Sequence, residues 1–204
     1  MGFEVLLYIP NIIGYIRIIL LIAAWFCYAT NPVWFIILYL TNVILDGIDG
    51  AIARKLNQTS AFGAWFDVVI DCVGRSMLWS RLYSWGSLIA SLEWLVFVCT
   101  HSIGAQWKAS FVQAPWIAQK VMEKNFKTPL GTYVVLGLHI LPLWLYAHYA
   151  GIFTHTLVIP KIIDYMVIGL LSGGRAIAAV VEMYCLWAHI RYLLRDPDAK
   201  DEQK

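Results

Sequence analysis

The sequence predicts an all-α integral membrane protein: a bundle of six transmembrane helices with a polar site facing the cytoplasm. Three observations carry this prediction. The chain is 60% hydrophobic and 14% charged, with a mean hydropathy of +0.67, whereas soluble domains run nearer to a quarter charged. No Asp, Glu, Lys or Arg occurs between Ile18 and Ile44 or between Leu130 and Pro160, and runs of about 20 apolar residues are what crosses a bilayer. These runs are continuous, where barrel strands would alternate over about ten residues, so helices that satisfy their own backbone are the expected spanning elements.

Taken in order, the spans fall near 11–30, 33–53, 61–84, 86–106, 130–150 and 163–193. Asn31-Pro32 makes a tight turn between the first two. Leu56 to Ser60, with Asn57, Gln58 and Thr59, links the second to the third. The connection 107–129 reads as partly amphipathic, suited to a membrane surface. The sixth span is longer than a perpendicular crossing needs and is expected to run on as an interfacial helix. The whole chain, 1–204, is expected to be one membrane domain ending in a polar tail, 196–204.

Orientation follows from the cations. Arg54 and Lys55 follow the second span, Lys108, Lys120, Lys124 and Lys127 lie in the 107–129 connection, and Arg191, Arg195, Lys200 and Lys204 close the chain. The opposite turns carry none near 30–32 and 85–87, and only Lys161 in 151–162. Both termini are therefore expected on the cytoplasmic side. A net charge of +2 is too small to suggest nucleic acid. Cys27, Cys72, Cys99 and Cys185 are scattered singly in apolar stretches, which predicts reduced, packed thiols. A removed signal peptide is not expected, and Leu6 stands where a myristoylation signal wants Ser or Thr.

The chemistry concentrates in residues 46–71, DGIDGAIARKLNQTSAFGAWFDVVID. Asp46 and Asp49 are three apart at the end of the second span, and Asp67 and Asp71 are four apart near the start of the third. On helices both spacings put the pair on one face. A link this short makes the two helices antiparallel neighbours, so the pairs can face one another. Intramembrane acids are costly and mark function, and the nearby Arg54, Arg75 and Arg81 are too few to neutralise them all. Oxygen ligands without Cys or His point to two divalent ions, Mg²⁺ or Mn²⁺. Gly50, Ala53 and Gly63 lie one turn from acids and leave room for a ligand, although small residues also serve helix packing. Arg54 and Ser60 offer donors to a phosphate.

Written as D-x-x-D-G-x-x-A-R, eight residues, then G-x-x-x-D-x-x-x-D, this stretch resembles the signature of the CDP-alcohol phosphotransferase family position for position. Within that family, PNIIGYIRI at 10–18 and ARKLNQTSAFGAWFD at 53–67 are similar to the eukaryotic phosphatidylinositol synthases. The resemblance covers the first 75 residues; beyond about residue 80 it is mostly hydropathy. One position departs from it, Cys72, where synthases of this kind tend to carry Arg. The resemblance implies a six-helix fold with a cytoplasmic-facing active site, in the endoplasmic reticulum membrane of a eukaryote. It implies that Asp46, Asp49 and Asp67 bind two divalent ions, and that Asp71 ligates one and acts as the general base. Asn11, Gly50, Arg54 and Ser60 would contact CDP-diacylglycerol, with Ala53 and Gly63 shaping the cytidine face. The implied partners are CDP-diacylglycerol, a small alcohol with myo-inositol favoured, membrane lipid, and a second copy of the chain as a candidate assembly.

Three readings compete with this one: the same chemistry on glycerol phosphate, serine or choline-type substrates, a catalytically inactive relative, and a cation transporter. Arg17 in the first span is expected either to assist phosphate binding or to snorkel to the interface. Of Arg75 and Arg81, one is expected to pair with an acid and the other to line the cleft. Arg175, after Gly173-Gly174, could enter the bundle. His101, His139, His148, His155 and His189 read as core or interface residues, and the Trp and Tyr mostly as interfacial belts.

Overall fold

Asn31 and Pro32 show how this chain turns. In the computed structural model of the protein, which describes residues 2–104 and 111–194, helix α1 (Ile9–Cys27) ends just before them and α2 (Pro32–Lys55) begins on them. Pro32 suits a first helical turn because the N–H it lacks would have no partner there. The Asn31 side chain accepts a hydrogen bond from Trp34 N at 3.3 Å and caps α2. The next junction uses the same device: Ser60 Oγ accepts from Gly63 N at 2.9 Å and caps α3 (Ala61–Leu82). After these come α4 (Gly86–Ile103), α5 (Trp116–Met122), α6 (Pro129–Tyr149), the single turn α7 (Ile152–His155) and α8 (Lys161–Leu193).

The six long helices match the six expected spans to within a few residues. Five of them, α1, α2, α4, α6 and α8, are both long and apolar enough to cross a membrane. α3 has a comparable 22 residues but lower hydropathy, because it carries Asp67, Asp71, Arg75 and Arg81. α8 continues unbroken through Gly173 and Gly174 for 33 residues, about 50 Å at the helical rise. In the 107–129 connection, α5 buries Ala118 and Val121 while Lys120 and Glu123 pair at 3.1 Å on its exposed side. Lys108, Arg195, Lys200, Lys204 and the tail 196–204 lie outside the described residues.

The chain divides into two compact units, Met1–Ser87 with Pro142–Ile168, and Leu88–Leu141 with Gly169–Lys204. In the first, one end of the core is apolar: Leu21, Ala24, Phe35, Tyr39, Ile70, Leu78, Leu143 and Tyr146. Lipid tails are as apolar as these side chains, so the association rests on close packing and internal hydrogen bonds rather than on escape from water. The Phe35 and Tyr146 rings meet at a tilt with centroids 4.2 Å apart, and the Tyr146 hydroxyl donates to Tyr28 O at 2.5 Å. His148, expected as a plain core histidine, instead faces a carboxylate: its Nδ1 lies 2.5 Å from Asp164 Oδ2, and Trp144 donates to the other oxygen at 2.9 Å. The four cysteines form no disulfide among the described residues, and Cys72 and Cys185 are buried.

The second unit packs Phe111, Ala114, Ala118, Val121, Val134, Ala178, Val181 and Cys185. A Cβ added to Gly137 would stand 2.5 Å from Arg175 N, so α6 and α8 cross backbone to backbone, as small residues permit. Arg175 does enter the interior. It is 7% exposed, with Nη1 2.9 Å from Glu182 Oε2 and Nη2 3.6 Å from Glu93 Oε1.

Candidate active site

The site lies at the polar end of the first unit, where three helices bring their inward stripes together. On α1 the buried residues Asn11, Gly14, Arg17, Leu21 and Ala24 recur every three or four positions, one face of a 3.6-residue period. The stripe is polar at its start and apolar below. On α2, Phe35, Tyr39, Asn42 and Asp49 follow the same rule in reverse, apolar first. α3 starts beside the end of α2 and runs back along it, so its acids meet those of α2 at the level of Arg17.

Arg17 is the centre of the arrangement and is 0% exposed. Its Nη1 donates to Asp49 Oδ2 at 2.9 Å and to Asp67 Oδ1 at 2.6 Å. Its Nη2 donates to Asp71 Oδ1 at 2.6 Å and lies 2.8 Å from Asp46 Oδ1. Nε reaches Asn42 Oδ1 at 3.4 Å. A guanidinium has five N–H donors; here hydrogen bonds run to Asn42, Asp49, Asp67 and Asp71, and Asp46 is held as an ion pair. Each Nη joins one aspartate of α2 to one of α3. Of the two expectations for Arg17, snorkelling is corrected: a buried cation beside four carboxylates has no reason to reach for the interface. Its place on the Asn11–Gly14–Arg17 stripe was the sequence signal.

All four expected aspartates converge. Asp49 is the most buried, at 7% exposure, whereas the side chain of Asp67 is 43% exposed. Oxygen atoms of Asp46, Asp49 and Asp67 lie within 4.8 Å of one another, a spread that a divalent ion can draw together at 2.0–2.6 Å per ligand. Asp71 Oδ2 faces Arg75 Nη1 at 3.3 Å, and Arg75 Nη2 lies 3.8 Å from Cys72 Sγ. The expectation that Arg81 would line the cleft is corrected as well. Its guanidinium stacks 4.6 Å over the Trp25 ring and 5.6 Å from that of Tyr28, an arrangement worth more than a solvated charge where water is scarce.

Beside the carboxylates opens a cavity of about 210 Å³. Every expected substrate contact lines it: Asn11, Gly50, Ala53, Arg54, Ser60 and Gly63, together with Arg17, Asp49 and Asp67. Asp46 and Asp71 sit behind this wall. The two glycines do different work. A Cβ on Gly50 would meet only the Arg54 head, at 3.5 Å, whereas one on Gly63 would stand 2.9 Å from Asn11 Oδ1 and 3.1 Å from Ser60 Oγ. Gly50 therefore keeps the cavity open, and Gly63 lets α1 and the α3 cap close against each other. Among the described residues Arg54 makes no ion pair, which leaves its fork free for an anionic ligand.

Sequence reasoning also missed the support around the site. Gln58 Oε1 accepts from Ile9 N at 3.0 Å and ties the α2–α3 link to the start of α1. Asn11 Nδ2 donates to Val5 O at 2.6 Å, and Gly14 admits Phe66, whose ring stacks on Phe62 at 5.3 Å. These contacts depend on the fold around the link and the start of α1, which no spacing rule reveals.

The CDP-alcohol phosphatidyltransferase family model matches residues 7–188, a span that includes all of 46–71. The chain belongs to that family. Among curated relatives, the chain is 47% identical over 75 residues to a CDP-diacylglycerol–inositol 3-phosphatidyltransferase of Candida albicans, covering 37% of this chain and 33% of that one. It is 48% identical over 68 residues to the Saccharomyces cerevisiae enzyme of the same name, 33% and 31% of the two chains. A Rattus norvegicus relative, again of that name, is 34% identical over 101 residues, 48% and 47% of the chains. The aligned stretch thus spans from about a third to about half the length of these relatives. No solved structure matches.

Proposed function

We propose that the protein transfers a phosphatidyl group from CDP-diacylglycerol to an alcohol, myo-inositol, giving phosphatidylinositol and CMP. The observation that carries this reading is the convergence of Asp46, Asp49, Asp67 and Asp71 beside a cavity lined by Asn11, Gly50, Ala53, Arg54, Ser60 and Gly63. The donor set, all carboxylate oxygen with three acids inside 4.8 Å, fits Mg²⁺ or Mn²⁺ and offers nothing to a softer metal. Asp46, Asp49, Asp67 and Asp71 would hold two such ions, which when bound supply charge neutralisation for the diphosphate and for the leaving CMP.

The chain's own residues do the rest. Arg54, without an acid partner, takes a phosphate of the nucleotide, and Gly50 leaves the space for it. Asp71 accepts the proton of the acceptor hydroxyl as that oxygen attacks the β-phosphorus; the bond to the α-phosphate oxygen breaks, and CMP departs with the electron pair. Oδ2 of Asp71 makes the longer of its two arginine contacts, 3.3 Å to Arg75 Nη1 against 2.6 Å from Oδ1 to Arg17, and is the oxygen assigned that proton. A neutral acceptor fits the charge pattern, because Arg75 is already engaged with Asp71 and a phosphorylated alcohol would need a further cation. The Lys and Arg distribution supports a cytoplasmic site and cytoplasmic termini, in the endoplasmic reticulum membrane of a eukaryotic cell.

The test is an acceptor panel. Membranes containing the protein are given labelled CDP-diacylglycerol with Mg²⁺ or Mn²⁺ and myo-inositol, glycerol phosphate or serine, and diacylglycerol is tried in parallel with CDP-choline. Lipid product with myo-inositol alone is the expected result. Product with glycerol phosphate or serine in its place would move the protein to a sibling activity, and no product with any acceptor would mark an inactive relative.

A further inference from the structure

Arg17 does with one side chain what a bridging cation does with its ligands. Nη1 joins Asp49 of α2 to Asp67 of α3, and Nη2 joins Asp46 of α2 to Asp71 of α3, with all four distances between 2.6 and 2.9 Å. We infer that Arg17 is a built-in counter-cation that competes with divalent ions for these carboxylate oxygens, so that metal loading is an exchange against the guanidinium. The inference rests on the four aspartates being the metal site.

Three features support competition rather than simple cohabitation. Arg17 holds oxygens of Asp46, Asp49, Asp67 and Asp71, and the first three are the acids with ligand atoms within 4.8 Å of one another. A divalent ion binds such oxygens at 2.0–2.6 Å, so an oxygen also holding an Nη would press two cations together. The guanidinium is fully enclosed, which leaves no water to screen that repulsion. The formal charge agrees: four carboxylates with Arg17 and Arg75 leave −2, and two divalent ions added to that would leave +2, whereas the same ions with Arg17 withdrawn leave +1. Arginine suits the role better than lysine, because a planar fork can bridge four acceptors and a compact ammonium cannot.

Arg17 also keeps the helix ends together. Without a cation the four acids repel one another, and the ends of α2 and the start of α3 would part. The residue therefore has two separable effects: it stabilises the fold when divalent ions are scarce, and it lowers the affinity for them.

The experiment reads binding and melting, without turnover. Detergent-purified parent, Arg17→Gln and Arg17→Lys proteins are titrated with Mn²⁺, free ion being followed by electron paramagnetic resonance, and melted in EDTA and in saturating Mn²⁺. Arg17→Gln should bind Mn²⁺ at least tenfold tighter than the parent, since a unit charge a few ångströms away exceeds that at the effective dielectric of a protein, and Arg17→Lys should fall between. Arg17→Gln should melt lower in EDTA and gain more from Mn²⁺ than the parent does. Should Arg17→Gln fail to fold, Arg17→Lys decides by the same criterion. Equal or weaker Mn²⁺ binding by the variants would overturn the inference and make Arg17 a scaffold that pre-forms the metal site. A parent that bound no Mn²⁺ would overturn the metal reading itself, before any variant was compared.

Discussion

Replacing Asp71 by Asn separates proton transfer from binding, because the structure limits what else the change can disturb. The carboxylate has two engaged oxygens, Oδ1 held by Arg17 at 2.6 Å and Oδ2 facing Arg75 at 3.3 Å. An amide keeps one acceptor. The shorter contact selects Arg17 as its partner, so the new NH₂ group faces the Arg75 guanidinium, donor against donor. Apart from Asp71's share in holding the ions, the change costs the long, charge-assisted hydrogen bond to Arg75, roughly 1.5–3 kcal/mol, set against relief of repulsion with the three remaining acids. The protein should therefore stay folded and keep its cavity, which Asp71 does not line. Proton transfer by a positioned base is worth about 10²–10⁴ in rate, or about 2.7–5.5 kcal/mol of barrier. The assay is conversion of labelled CDP-diacylglycerol at saturating myo-inositol and metal, with CDP-diacylglycerol affinity measured separately. The expected result is a kcat lower by two to four decades with affinity changed by less than about threefold, a split that marks loss of a transition-state interaction. Turnover within tenfold of the parent would refute the base assignment, and an equal loss of affinity would make Asp71 a binding residue only.

The two glycines should behave oppositely. Gly50→Leu fills the cavity beside Arg54 and should raise the KM for CDP-diacylglycerol more than tenfold with little change in melting temperature; unchanged affinity with a lower melting temperature would point to packing instead. Gly63→Ala forces Asn11 or the Ser60 cap to move and should lower stability by about 1 kcal/mol, the usual value of a lost cap, measured by thermal melting; a melting temperature at or above the parent's would contradict it. EDTA should abolish activity, with Mg²⁺ or Mn²⁺ restoring it and Zn²⁺ doing so poorly. The same ions should raise the melting temperature of the parent, and Asp46→Asn or Asp49→Asn should remove that shift; full activity in EDTA would contradict the metal assignment.

What the sequence made legible was local. Acids at i, i+3 and i, i+4 on either side of a short link can converge on one face, and small residues one turn away mark it, so the aspartates with Gly50, Ala53 and Gly63 were legible from spacing, whereas Asn11 came only from the resemblance. The turns at Asn31-Pro32 and Ser60 were legible for the same reason, since a cap acts within three residues. Arg17 was not, because a lone arginine in an apolar helix can run to the interface or turn inward, and the choice depends on partners 29 to 54 residues away. The same holds for Arg175 with Glu93 and for His148 with Asp164. α3 falls below the hydropathy of the other long helices because it carries four charges, of which Asp71 and Arg75 are held by partners inside the unit.

The central claim is that this chain joins a phosphatidyl group to an alcohol and releases CMP. The direct measurement is product stoichiometry with purified protein in lipid nanodiscs, supplied with CDP-diacylglycerol, myo-inositol and Mn²⁺, with CMP and lipid product quantified by mass spectrometry. The account predicts one phosphatidylinositol for each CMP, and neither without myo-inositol. CMP released together with phosphatidic acid, independently of the alcohol, would contradict it.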